Sequence, residues 1–172
     1  MSDLTLTTDR LTLRRPAARD WDGARDFYMS DRSAMAGGNI HLGAAWRQFA
    51  AIIGHWDIRG YGLWAVTLKG NDTCLGLVGQ WCPEDWPENE LGWVLFAEAE
   101  GKSIAYEAAQ ATRNYAYDTL GWTTAVSYLH PDNARSITLA ERLGCTRDDT
   151  APWPYPEKPC AIYRHPAPEA RP

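Results

Sequence analysis

The sequence predicts a mixed α+β domain built around one sheet, because strand patterns precede, separate and follow helix patterns along the chain. Residues 10–15 alternate apolar and polar side chains, which is typical of a strand with one buried face. Trp46, Phe49, Ile53 and Trp56 recur at helical spacing instead. The length of 172 residues fits one such domain.

Each predicted element has a local signal at one of its ends. Pro16 ends the first strand because proline has no N–H for a sheet ladder, and residues 70–72 (Gly-Asn-Asp) indicate a hairpin turn. Gly121 and Gly144 end the last two helices, and Gly92 inside a strand indicates a bulge or a close backbone approach. The predicted strands cover 10–15, 63–68, 74–82, 90–96, 123–130 and 161–164. The predicted helices cover 17–30, 44–58, 101–120 and 134–143.

Composition and charge exclude several classes of protein. The apolar fraction of 45% and the charged fraction of 23% predict a single globular domain over 1–165, followed by a flexible tail at 166–172. A net charge of −5 argues against a general nucleic-acid-binding surface. The sequence has no apolar run of membrane-spanning length and no signal-peptide pattern at its start. The four cysteines form no C-x-x-C pair and the four histidines show no ligand spacing. We therefore predict a cytoplasmic protein with reduced thiols, no metal, and neither nucleic acid nor membrane as a partner.

The segment from strand 90–96 through a glycine turn into the next helix is the most informative for chemistry. Backbone N–H groups and the positive end of the helix dipole meet there and suit a phosphate. A Walker loop would need glycine where Phe96 stands, so that match is weak. A nucleophile elbow at Ser103, with Asp132 and His165 as partners, is a second interpretation. An ordinary helix start without a ligand is the third.

Several motifs in one order carry a resemblance to a known family. They are Glu90-Leu-Gly-Trp-Val-Leu, Glu100-Gly-Lys-Ser-Ile-Ala-Tyr-Glu-Ala, His130-Pro-Asp-Asn-Ala-Arg-Ser-Ile and Glu141-Arg-Leu-Gly. Over roughly residues 9–165 the chain resembles the GNAT superfamily of acetyl-CoA-dependent N-acetyltransferases, and most of all the branch with the bacterial ribosomal-protein-alanine acetyltransferases. The resemblance implies a mixed, mostly antiparallel twisted sheet of six to seven strands flanked by about four helices. It also implies an N-acetyltransferase that moves an acetyl group from acetyl-CoA to a primary amine.

The resemblance implies where acetyl-CoA would bind. The family's pyrophosphate loop falls on residues 98–103, where Gly101 fits the pattern and Glu98 and Ser103 depart from it. Strand 90–96 would part from strand 123–130, so that the pantetheine arm pairs with exposed backbone. Because the family tolerates alanine at position 103, we expect a plain helical conformation there. The cosubstrate-binding residues implied are Val94, Leu95, Phe96, Glu98, Gly101, Lys102, Ser103, Ile104, Ala105 and Asn133.

The resemblance also assigns two catalytic roles. Glu90 would accept a proton from the amine, and Ser136 would protonate the departing thiolate. Each residue has a plainer interpretation: Glu90 as a solvated charge at a strand end, and Ser136 as a surface hydroxyl. Asn133 likewise could serve only as a helix cap.

The acceptor cannot be identified from the sequence. The loop over residues 82–90 carries four carboxylates among tryptophans, which would favour a cation flanked by apolar surface, or is simply a solvated acidic loop. A protein N-terminus and a small-molecule amine both stay open. A non-catalytic acyl-CoA-binding sensor or structural subunit on the same fold is the alternative function. Dimers are common in the resembling branch, so a homodimer is also open.

Overall fold

The computed structural model of the protein describes residues 4–171. The strands are β1 (Thr5–Thr7), β2 (Leu11–Arg14), β3 (Leu63–Leu68), β4 (Gly76–Trp81), β5 (Glu90–Leu95), β6 (Val126–Leu129), β7 (Thr146–Arg147) and β8 (Ala161–Arg164). The helices are α1 (Trp21–Tyr28), α2 (Leu42–Arg59), α3 (Ile104–Asp118) and α4 (Ala134–Arg142). The strands form one sheet in the order β1-β2-β3-β4-β5-β6-β8-β7.

The predicted α+β architecture is confirmed, with more strands than expected. Every predicted strand and helix has its counterpart, with ends shifted by a few residues. The sheet has eight strands where six to seven were predicted. The two additional strands, β1 and β7, are three and two residues long and lie at the outer edges. Within residues 4–171, no helix is long and apolar enough to cross a membrane. Residues 1–3 and Pro172, the outer ends of the predicted domain and tail, lie outside the described residues.

One junction in the sheet differs from all the others. The pairs on either side of it are antiparallel, but β5 and β6 are parallel and share a single register pair, Glu90 with Val126. Beyond that pair the two strands diverge, which is the separation that the resemblance implies. The gap opens near the middle of the sheet.

The sheet separates two apolar layers, and β3 shows the alternation clearly. Leu63 and Ala65 pack with α1 and α2, whereas Trp64 and Val66 pack on the side of α3 and α4. Helix α3 lies close to the sheet because the residues on its inner face are small. Those buried residues are Ala108, Ala109, Thr112 and Ala116.

The segment after β8 contacts α3. Tyr117 Oη donates to the Pro166 carbonyl at 2.9 Å, and Arg171 forms an ion pair with Asp118 at 2.6 Å. The flexibility of this tail stays a prediction.

Candidate active site

A buried side-chain network holds β5 and β6 together at the start of the gap. Ser127 Oγ donates to the Leu91 carbonyl at 2.6 Å, across the two strands. Because the hydroxyl proton is used there, His165 Nε2 donates to the same oxygen at 2.9 Å. His165 Nδ1 is buried with no partner among the described residues. Burial lowers the pKa of His165 to about 3, so its ring is neutral.

This network rules out the nucleophile-elbow interpretation. His165 is bonded to Ser127 and not to Ser103. The Ser103 hydroxyl instead accepts a hydrogen bond from Arg142 at 3.3 Å. The proposed nucleophile and its base are therefore not assembled.

The turn between β5 and α3 is tighter than the sequence predicts. After a 3-10 turn over Ala97–Ala99, both Gly101 and Ser103 take left-handed backbone conformations, with φ of 73° and 57°. The helix begins at Ile104, so the predicted start at Gly101 is wrong. The expectation that Ser103 is plain helix is also wrong, since it is the left-handed residue directly before the helix.

The same loop leaves N–H groups for a ligand while its carbonyl groups are occupied. Lys102 Nζ donates to the Glu98 carbonyl at 2.8 Å, and Arg10 donates to the Lys102 carbonyl at 3.0 Å. Within the described chain, no side chain caps the N-terminus of α3. Free N–H groups at a helix start, next to basic side chains, suit an anion.

Glu100 bridges this loop to two arginines. It pairs with Arg32 and, at 2.8 Å, with Arg135. The hydrogen bond from Arg32 is the main cause that lowers the pKa of Glu100. Arg135 is otherwise exposed, so its guanidinium lies at the rim of the loop.

Some of the predicted cosubstrate-binding residues point their side chains into the core. Phe96 packs on Phe27 at 5.8 Å between ring centroids, and Val94 belongs to the same layer under α1 and α2. Ile104 is buried in the opposite layer, against which Leu95 also packs. At these positions the backbone, and not the side chain, is what a ligand in the gap could reach.

Ser136 and Asn133 lie at the start of α4, facing β5. Asn133 Oδ1 accepts the Ser136 backbone N–H at 3.2 Å, so Asn133 does cap the helix. Trp93 Nε1 donates to Ser136 Oγ at 3.2 Å. Since that oxygen acts as an acceptor, the hydroxyl proton of Ser136 is free to be donated elsewhere.

Glu90 lies on the other face of β5. Alternation along the strand places Glu90, Gly92 and Val94 toward α1 and α2, whereas Trp93 faces α4. Trp86 Nε1 donates to Glu90 Oε2 at 2.6 Å. Burial raises the pKa of Glu90 to about 7, against the opposing effect of that hydrogen bond. The two predicted catalytic side chains therefore lie on opposite faces of β5.

Two of the four carboxylates in the acidic loop before β5 form ion pairs, and one of these two, Glu84, is almost fully exposed. Glu84 pairs with Arg59 and Glu88 with Arg164, both at 2.9 Å. Glu90 forms no ion pair with any described residue.

The other residues around Glu90 are not predictable from the motifs in the sequence. Tyr128, Trp153 and Tyr155 surround Trp86, which binds the Glu90 carboxylate. The available signal was two large aromatic side chains inside a segment with four prolines, where no strand or helix explains them.

Comparisons with known proteins agree with this geometry. The sequence model of the acetyltransferase (GNAT) domain family matches residues 10–146. The crystal structure of the acetyltransferase from Agrobacterium tumefaciens str. C58 is similar over 96% of both chains, with 38% identity and a TM-score of 0.90. The "Uncharacterized N-acetyltransferase YnaD" of Bacillus subtilis (strain 168) is 25% identical over 144 residues, 83% of each chain.

A more distant structure shares the fold. The ribosomal-protein-S5-alanine acetyltransferase from Vibrio fischeri covers 99% of this chain with 100% of its own, at 15% identity and a TM-score of 0.72. Because the family model matches most of the chain and the fold is that of a related acetyltransferase, the chain belongs to the acetyltransferase (GNAT) domain family.

Proposed function

We propose that this acetyltransferase moves an acetyl group from acetyl-CoA to a primary amine by direct transfer in a ternary complex. The observation that carries the proposal is the pair of side chains at the gap: Glu90 on one face of β5 and Ser136 on the other. A carboxyl with a pKa near 7 suits a general base at neutral pH. Proteins of the family use acetyl-CoA.

The described residues fit this cosubstrate. The divergence of β5 from β6 leaves strand backbone free to pair with an extended pantetheine arm. The turn through Gly101 and Ser103 offers N–H groups to the pyrophosphate, and Lys102, Arg135 and Arg142 supply positive charge around it. The bound thioester supplies an already activated acetyl group.

The chain's own groups then handle protons and position. Glu90 accepts the proton that the amine loses as the new C–N bond forms, and a backbone N–H of β5 stabilises the oxyanion. Ser136 donates its proton to the sulfur as the C–S bond breaks and regains one from solvent, to which Glu90 releases the proton that it took from the amine. The products are the N-acetyl amine and CoA.

Cysteine chemistry is a poor alternative for this site. Burial raises the pKa of Cys74 and Cys145 to about 12, and that of Cys160 to about 11. Burial also raises the pKa of Cys82. Thiols of this kind stay protonated at neutral pH and are weak nucleophiles, so direct transfer is favoured over an acyl-enzyme.

The pH profile of Glu90→Gln tests the base. With an acceptor amine already uncharged at about pH 6, the rate of the parent should rise with pH to a midpoint near the Glu90 pKa of about 7. Glu90→Gln should lose this limb and about 10²-fold in kcat. Glu84→Gln is the control: it makes the same substitution in the same loop and should keep the rise of the rate with pH. An unchanged limb in Glu90→Gln excludes the base role.

Ser136→Ala tests the acid. We expect kcat to fall by about 10²-fold with little change in the Kd of acetyl-CoA. An unchanged kcat under conditions where chemistry limits the rate excludes the role. Binding of acetyl-CoA without CoA release from any amine in a broad panel would instead support the non-catalytic sensor.

A further inference from the structure

Four aromatic rings form a continuous wall on the Glu90 side of the gap. We call Trp86, Tyr128, Trp153 and Tyr155 the aromatic wall. Neighbouring ring centroids lie 4.8–6.3 Å apart around the group. The rings come from the loop before β5, from β6 and from the loop before β8, and each is partly exposed. They are thus neither buried core nor isolated surface residues.

The wall presents mostly carbon surface, since three of its four polar side-chain groups are bonded within the protein; the fourth, Trp153 Nε1, is buried and has no partner among the described residues. Tyr128 Oη donates to the Pro152 carbonyl, and Tyr155 Oη donates to Asp85, each at 3.2 Å. Trp86 Nε1 is bonded to Glu90. A ligand with many hydroxyl or amino groups would find few partners here.

Charge beside the wall favours a cation. Glu90 and Asp85 have no basic partner among residues 4–171, whereas the other two carboxylates of the loop are paired with arginines. Lys158 Nζ already lies 4.7 Å from the centroid of the Tyr155 ring, so the attraction left for an ammonium group is at the Glu90 end of the wall, by charge and by cation–π interaction.

Gly92 leaves room next to the carboxylate. It lies on the Glu90 face of β5, and a Cβ built there would meet Glu90 Oε1 at 3.5 Å and Leu63 Cδ2 at 4.0 Å, with no nearer atom. These are ordinary contact distances, and the backbone is not left-handed at this position. The position of that Cβ therefore has room for a group of the size of a methyl or an ammonium, 3.5 Å from the Glu90 carboxylate.

We infer that the acceptor is a primary amine carried a few bonds from a flat apolar ring, with the ammonium at Glu90 and the ring against the aromatic wall. The inference rests on the proposed function and narrows its acceptor. Amines that carry an aromatic ring should be better acceptors than polyamines and amino sugars, because the latter two lack the flat apolar surface that the wall would cover.

A matched amine panel tests this directly. CoA release would be measured with 2-phenylethylamine, 2-cyclohexylethylamine, propylamine, spermidine and glucosamine, all with acetyl-CoA. The phenyl compound should exceed the cyclohexyl compound in kcat/KM by about 2–10-fold, the size of one favourable aromatic pair, and exceed the others by more. Spermidine or glucosamine as the best acceptor would overturn the inference.

Binding measured without turnover separates this inference from the proposed function. Calorimetric titration of the same amines into the protein with CoA should give the same order of Kd. If no amine releases CoA, the proposed function fails, and the order of Kd still shows which class of amine binds at the wall. Equal binding of the phenyl and cyclohexyl compounds would contradict the inference even if transfer occurs.

Two variants locate the effect. Tyr155→Leu keeps apolar area but removes a ring, so the ratio of kcat/KM between the phenyl and the cyclohexyl compound should fall toward one.

Gly92→Ala should raise KM for the ring amines several-fold by occupying the space beside Glu90. Gly54→Ala, on α2 where an added Cβ meets nothing within 4 Å, is the matched control and should leave KM unchanged. Unchanged ratios and KM values in properly folded Tyr155→Leu and Gly92→Ala would place the acceptor elsewhere.

Discussion

The backbone conformation of Ser103 differs from the helical conformation that the family pattern predicts at this position. Alanine is tolerated at this position in the resembling family, which predicts a helical residue. The chain takes a left-handed φ of 57° there because the turn completes its reversal two residues after Gly101. Single-sequence periodicity carries no signal for such an angle, since serine is common at helix starts in extended conformations.

Ser103→Gly should therefore stabilise the protein, by up to about 1 kcal/mol, because glycine adopts the left-handed region without steric cost. The loss of the Arg142 hydrogen bond and the extra freedom of the unfolded chain limit the gain. Urea unfolding measures the change. Ser103→Ala is the control: it removes the hydroxyl but keeps the Cβ, and should not stabilise. A lower stability for the glycine variant than for the alanine variant would contradict the role assigned to the angle.

His165 gives the protein an acid-sensitive residue in its core. Its pKa of about 3 lies below the ordinary value near 6.5, so the unfolded chain takes up a proton that the folded chain refuses. The stabilisation from a neutral His165 is fully present above about pH 6.5. It is lost progressively as the pH falls toward 3.

We expect this loss to reach roughly 1–3 kcal/mol between about pH 7 and pH 4. Unfolding of the parent and of His165→Gln across that range isolates it. The glutamine variant starts less stable but should lose less stability on acidification. If the free energy of unfolding depends on pH in the same way in both proteins, the pKa of His165 does not differ between the folded and unfolded states.

At the scale of elements, the sequence predicted what is periodic and missed what is short or long-range. The alternation in residues 10–15 and the helical spacing of Trp46, Phe49, Ile53 and Trp56 correspond to real elements. Strands β1 and β7 contain too few residues for a period to be visible. They exist because a neighbouring strand offers them hydrogen bonds.

The residues of the candidate site were likewise predicted only in part. Glu90, Asn133 and Ser136 were predicted through the resemblance. The structure places Glu90 on one face of β5 and the other two residues at the start of α4, and their catalytic and binding roles stay predictions. The aromatic wall was not predicted, because Tyr128 and Tyr155 become neighbours of Trp86 only when β6 has paired with both β5 and β8. Local patterns do not encode such contacts.

Ser127→Ala tests the junction between β5 and β6. It leaves the buried Leu91 carbonyl and the His165 Nε2–H without their partner, so the free energy of unfolding should fall by about 1–3 kcal/mol. Chemical denaturation measures the fall.

Thr112→Val is the matched control for Ser127→Ala. It also deletes a buried hydroxyl, but that group bonds to a helix carbonyl, which keeps its backbone partner. Its cost should stay under about 1 kcal/mol. Equal effects of the two variants would mean that Ser127 does not bridge the strands.

At the scale of the whole molecule, an acidic chain is electrically divided. The net charge is −5, yet Arg10, Lys102, Arg135 and Arg142 all make contacts at the turn into α3 or the residues beside it. Two of these four are paired there with carboxylates, Arg10 with Glu107 and Arg135 with Glu100. The unpaired carboxylates Glu90 and Asp85 lie at the aromatic wall instead. An anionic cosubstrate and a cationic acceptor would thus be attracted to different regions of the same surface.

Acetyl-CoA should accordingly raise the melting temperature. A ligand that binds only the folded state, at a hundredfold excess over its Kd, raises the free energy of unfolding by about 2.7 kcal/mol. For a chain of this size, that raises the melting temperature by about 5–10 °C. Differential scanning calorimetry measures the shift. No shift at millimolar acetyl-CoA or CoA would contradict the cosubstrate, and with it the catalytic scheme.

The divergence of β5 from β6 gives this sheet an edge in its interior as well as at its two ends. Exposed edges invite pairing with other chains, and the outer strands β1 and β7 limit that hazard by being only three and two residues long. The interior edge is longer, but α3, α4 and the flanking loops restrict access to it. A folded neighbour cannot enter a slot of that kind, whereas a slender extended molecule can. The unpaired backbone of β5 can therefore hydrogen-bond an extended ligand in the way that an added strand would.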